Sequence, residues 1–176
     1  MKMIKENLSF LSCAGSIETR DSRFYVSPFN FSDEDKAILR NSEQRALLFD
    51  AIETLTLPMF IIEHDPYKSS NQVSNFVRMD PYILKLALLI YSVRIKIHEK
   101  GDSERFMWTG SEESSSFLAN IDHDIVIDCL LKREISIRPV FELADILNGD
   151  WKICRNNAHL AMSQYLQLRY KHWRVS

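Results

Sequence analysis

A chain of 176 residues with 45% apolar and 11% aromatic side chains carries enough apolar material for one sizeable core, which excludes intrinsic disorder. Four glycines and five prolines are too few for the many tight turns of a β-sandwich or barrel, so the composition predicts a mainly α, single compact multi-helix domain over 1–176, with room for one or two short strands. A net charge of −2 disfavours an electrostatic nucleic-acid binder.

Residues 1–31 read as an irregular N-terminal arm: Ile4, Leu8 and Leu11 keep helical spacing, but Phe24, Val26, Phe29 and Phe31 look extended around Pro28. The first residues form a broken apolar run with Glu6, Asn7 and Ser9 in it, which argues against a secretory signal. Ser32 before Asp33, Glu34 and Asp35 is an N-cap followed by first-turn acids, and a second helix start falls at Ser42 before Glu43. Leu48, Ile52 and Leu55 share one face of that helix, which Pro58 should end, and Met59 to Ile62 has the makings of a strand. The polar run 65–75 is a long loop.

Asp80 and Pro81 give the clearest start signal, an N-cap acid with proline at the first helical position, and the helix should run to Lys100 and stop at Gly101. Apolar residues from Ile83 to Ile90 surround most of its circumference, which predicts burial on several sides. Lys85 interrupts the apolar stretch from Tyr82 to Val93, which falls short of the ~20 residues needed to cross a bilayer, so no transmembrane segment is expected. Residues 101–116 read as a second long loop with Phe106, Met107 and Trp108 on it. Phe106 and Trp108 are candidate partner contacts if exposed there. Helices are predicted over about 122–134, over 139–148 between Pro139 and Gly149, and over 151–170. In the last, Trp151, Cys154, Ala158, Ala161, Tyr165 and Leu168 form a seam for packing on another helix.

Few residues point to chemistry. Cys13, Cys129 and Cys154 are widely spaced with no CxxC, which predicts buried thiols in a reducing cytoplasm rather than a disulfide framework or zinc site. His98, His123–Asp124 and Asp145 follow the order of ligands in HD-type metal phosphohydrolases, though Asp122 and Asp124 serve equally well as helix caps. Arg155, Asn156 and His159 resemble the phosphate-stabilising cation and proton shuttle of helical HEPN-type ribonucleases. Their Arg-x3-His spacing is one residue short, which turns the two side chains apart by about 100°. The alternative catalytic reading therefore rests on Arg155 and His159 in a small helical nuclease or phosphohydrolase. No nucleotide, hydrolase or calcium motif is present, and neither a cofactor nor a small-molecule substrate is indicated.

The last 26 residues contain Lys152, Arg155, Arg169, Lys171 and Arg174 and no acid. Arg169, Tyr170, Lys171, His172, Trp173 and Arg174 interleave cations with aromatic rings, a composition suited to docking an acidic protein partner, with Arg169, Tyr170, Lys171, Trp173 and Arg174 as the contacts.

The order of these segments resembles the small cytosolic K-subunit of the bacterial type III secretion sorting platform, the group of MxiK, OrgA and SctK. The likeness rests on Phe24-Tyr25-Val26 with Pro28 and Phe29, a helix ending near Leu57, and Phe76-Val77. It continues through Pro81, the apolar helix Leu86 to Tyr91 ending in Arg94, and a last amphipathic helix with Arg169 near its end. Ser92 stands where those proteins tend to have glycine. The resemblance implies a non-enzymatic adaptor in the bacterial cytoplasm, a virulence-associated protein-transport component that links the membrane-ring protein of the injectisome to the pods contacting its ATPase.

Overall fold

The computed structural model describes residues 4–20, 27–55, 57–68, 80–147 and 151–173, with backbone alone at 4, 102–103, 106, 151–152, 165 and 169–173. The chain is mainly helical: α1 (Ile4–Glu18), α2 (Asp33–Arg40), α3 (Ser42–Ile52), β1 (Phe60–His64), α4 (Pro81–Lys100), α5 (Asp102–Trp108), α6 (Glu112–Asn120), α7 (His123–Lys132), β2 (Ile135–Pro139) and α8 (Trp151–Trp173). Among the described residues no helix is long and apolar enough to cross a membrane.

Local chemistry sets most of the boundaries. Ser32 Oγ accepts from Asp35 N at 3.1 Å to open α2. Asn41 ends α2 and begins α3, its side chain accepting from Glu43 N and Gln44 N at 3.0 and 3.1 Å, so one amide makes the corner between two helices. Asp80 Oδ1 accepts from Tyr82 N at 2.8 Å with Pro81 in the first turn, and α4 stops at Gly101 as the sequence predicts. α3, by contrast, stops at Ile52, ahead of Pro58.

β1 and β2 pair antiparallel, with Phe60 opposite Pro139 and His64 opposite Ile135. Single parallel bridges extend this ribbon at both edges, Phe29 to Ile137 and Ile62 to Thr109. The helices enclose the ribbon. α1 packs against α2, α3 and α4, while α7 packs against α4 and β2, and α8 lies on α3. Phe10 from α1 sits among the rings of Phe60 and Trp108, with centroids 5.7 and 6.1 Å away, at the centre of one continuous apolar cluster. Asn7, fully buried beside it, donates to Leu57 O at 2.9 Å and accepts from Met59 N at 2.8 Å, so the chain entering β1 is tied to α1 with both amide ends satisfied.

Four expectations need correction. Residues 4–18 of the supposed irregular arm are a helix at the centre of the core. The 101–116 loop is α5 and the start of α6, with Ser111 as N-cap accepting from Ser114 N. The helix predicted over 139–148 is absent from its described residues, 139–147: Pro139 closes β2, and the following turn is held by Asp35, whose carboxylate accepts from Leu143 N at 2.8 Å and Ala144 N at 3.2 Å. α4 is buried on one side only, through Ile83, Leu86, Ala87, Ile90, Val93 and Ile97, while Leu84 and Leu88 are exposed.

Candidate functional site

α8 offers two faces. Cys154, Ala158 and Met162 are buried against the body, and Leu166 packs at its edge. This row advances by fours, so it winds about 40° around the helix at each step. By the last turn it has left Leu168 behind. The seam predicted from Trp151 to Leu168 is thereby corrected at its far end, where Leu168 is 59% exposed. Ile153 and Leu160, at 45% and 59%, are exposed on the same outer side, within about 80° of Leu168 around the axis.

Arg155 and His159 do not frame a cleft. Arg155 Nε donates to Asp50 O at 3.1 Å, at the C-terminal end of α3 where a cation is favoured by the helix dipole. His159 Nε2 lies 3.0 Å from Thr54 Oγ1, just beyond the same helix end. Both side chains fasten α8 to α3, and neither lines the cavity described below.

The proposed phosphohydrolase set does not converge either. His98 is exposed near the end of α4, while His123 opens α7 with its ring edge-on to Tyr91 and 3.7 Å from its neighbour Asp124. Among the described residues no three His, Cys, Asp or Glu side chains gather in a way that could hold a metal ion. All three cysteines are buried and none is in a disulfide. Burial pushes the Cys13 thiol up, and burial together with its hydrogen bond to Glu134 pushes Cys129 up to about 12, the opposite of what a nucleophile requires. His64 stacks on Phe117, and burial lowers its pKa, so the ring stays neutral between the two elements.

Trp108 is fully buried and has no surface to give a partner; its indole N–H donates to Glu104 Oε2 at 2.9 Å within α5. The neighbouring Phe106 has backbone in α5 only. Arg169, Tyr170, Lys171 and Trp173 lie on the last turns of α8, and Arg174 falls outside the described residues.

One feature has no counterpart in the sequence reading, a cavity of about 560 Å³ where α1, α2 and the α7–β2 corner meet. Among the described residues, Arg20, Lys36, Arg40, Lys68 and Arg133 line it, with Glu18 as the carboxylate beside them. These cations come from segments far apart in the chain, and only Lys36 and Arg40, four apart on α2, leave a local trace. Comparison with protein-family models, curated proteins and solved structures gives no match for this chain.

Proposed function

We propose that this chain is a non-enzymatic protein-interaction module whose docking surface is the outer face of α8. The observation that carries the proposal is the exposure of Ile153, Leu160 and Leu168 on one side of a helix with no acidic residue. At roughly 35 Å, α8 is about twice as long as α3, at about 16 Å, so part of its length runs past the helix that supports it. The charge of the segment, cationic and without an acid after Asp150, selects the occupant. Two copies of α8 laid together would repel through their like charges, whereas an acidic helix or strand with an apolar stripe meets both requirements of this face.

In its narrower form the proposal is an adaptor subunit of a bacterial type III secretion sorting platform. Its support is the order of elements, with Pro81 opening the apolar helix through Arg94 and a terminal amphipathic helix carrying Arg169. The test replaces Leu160 and Leu168 by glutamate together, at positions already in solvent, and compares what wild type and variant retain from the native host. Proteins lost from the variant should be acidic and should bind the purified wild-type chain directly, with the injectisome membrane-ring protein among them in the narrower form. Identical retention by both chains would end the α8 proposal, and dimerisation abolished by the variant would replace the acidic partner with a second copy.

A further inference from the structure

We propose that the cavity beside the end of α1 binds a small polyphosphate, a molecule bearing two or more phosphate groups. The site is independent of the α8 surface. Among the described residues its wall carries Arg20, Lys36, Arg40, Lys68 and Arg133 in a protein whose net charge is −2, and although the first four each have a carboxylate partner, Asp80, Asp33, Glu18 and Asp65 in turn, five cationic side chains gather there.

The cations differ in how they are held. Arg40 is braced from behind, its Nε donating to Glu18 O at 2.9 Å and its Nη2 standing 4.0 Å from Glu18 Oε2, while Nη1 has no partner among the described residues. Glu18 is buried, so this carboxylate of the wall fixes a guanidinium more than it repels a ligand. Arg20 is held by Asp80 and by the face of Tyr82. Lys36 and Lys68 meet Asp33 and Asp65 at 3.2 and 3.9 Å across exposed pairs, which hold their ammonium groups weakly.

Arg133 is the most telling. It occupies the left-handed region at φ 66°, ψ 16° after α7, a position that favours glycine or asparagine, and its guanidinium has no partner among the described residues. An arginine kept there, on the rim of a cationic cavity, is accounted for by a ligand. Ser27 adds a hydroxyl whose oxygen already accepts from Phe29 N at 3.1 Å, leaving its proton to donate.

Guanidinium forks match the paired oxygens of phosphate, and the lysines add point charges without directional demand. The volume lies within the range of small-molecule sites, roughly 300–1,000 Å³, and far exceeds what one phosphate fills, so several linked phosphates fit it better than one.

Calorimetric titration of the full chain with tripolyphosphate, at about 0.15 M salt where long-range attraction is screened, provides the test. Saturable one-to-one binding is expected, with orthophosphate much weaker. Arg133→Gly suits the backbone it replaces, so the variant should melt no lower than wild type while binding about tenfold more weakly, the loss of one charge-assisted pair. Lys68→Met should weaken binding too, and Lys132→Ala, which removes an exposed cation outside the cavity, should leave it unchanged. The proposal is overturned by no saturable binding, by binding that Arg133→Gly and Lys68→Met leave intact, or by binding of an RNA oligonucleotide but not of tripolyphosphate.

Discussion

At the junction of α2 with the turn that follows β2, Asp35 is fully buried and its two oxygens have different fates. Oδ1 accepts from Leu143 N and Ala144 N, whereas Oδ2 is buried with no hydrogen-bond partner among the described residues, and burial together with the neighbouring carboxyl of Glu142 pushes Asp35 up from 3.8 to about 6. The native state therefore holds a proton that the unfolded chain has released between about pH 4 and pH 6. The stability this contributes is complete below the unfolded value and is lost as pH rises through the folded one. Asp35→Asn keeps the acceptor for the two amides and offers Glu142 a permanent donor. Its melting temperature should exceed that of wild type most above pH 6 and converge with it toward pH 4; a pH-independent difference would mean that the pair shares no proton. Nothing in the local sequence marks Asp35 for this role, because Ser32-Asp33-Glu34-Asp35 reads as an ordinary N-cap with first-turn acids and Glu142 lies more than a hundred residues away.

Among the elements, those with complete local signals were legible and those whose signal is a long-range contact were not. Asp80, Pro81 and Gly101 bound α4 as the sequence predicts, since capping acts within one turn. Gly101 sits at φ 70°, ψ −143° with open space where a Cβ would stand, so Gly101→Ala should cost roughly 1–3 kcal/mol through backbone conformation alone. Urea unfolding would measure it, and an unshifted midpoint would show that the α4–α5 corner relaxes freely. α1 escaped notice because its buried face includes Asn7, Cys13, Ala14 and Gly15 beside Phe10 and Leu11, which breaks the apolar pattern that marks a core helix. Gly15 lets Arg45 of α3 approach to 2.8 Å of where a Cβ would lie, so the residue that looks like a helix breaker is a packing device. The serines of 111–116 were misleading in the same way. Ser111 caps α6 and Ser114 and Ser115 are buried in it, so a composition typical of loops belongs to a helix start.

For the whole molecule, scarce glycine and proline predicted a mainly helical fold, which the element order bears out, and apolar content predicted a sizeable core, which the cluster from Phe10 to Met162 supplies. The cationic cavity was illegible because a net charge sums over the surface and conceals where five cations meet. The charge asymmetry of α8 is the exception, being written along one segment, and it supports a last prediction. Arg169, Lys171 and Arg174 end a stretch that contains no acid after Asp150, and a partner drawn to that field should associate faster and bind more tightly at low salt. Reversing all three to glutamate should slow association and weaken binding of the acidic partner. The gap between variant and wild type should shrink as the Debye length falls from about 10 Å at 0.1 M salt to about 3 Å at 1 M. Reversing charges near the end of a helix also opposes its dipole, so circular dichroism must show that α8 is retained before the rates are compared. If the helix is intact and association is unchanged at low salt, the cations of the last turns are solvated surface, and docking on α8 rests on Ile153, Leu160 and Leu168 alone.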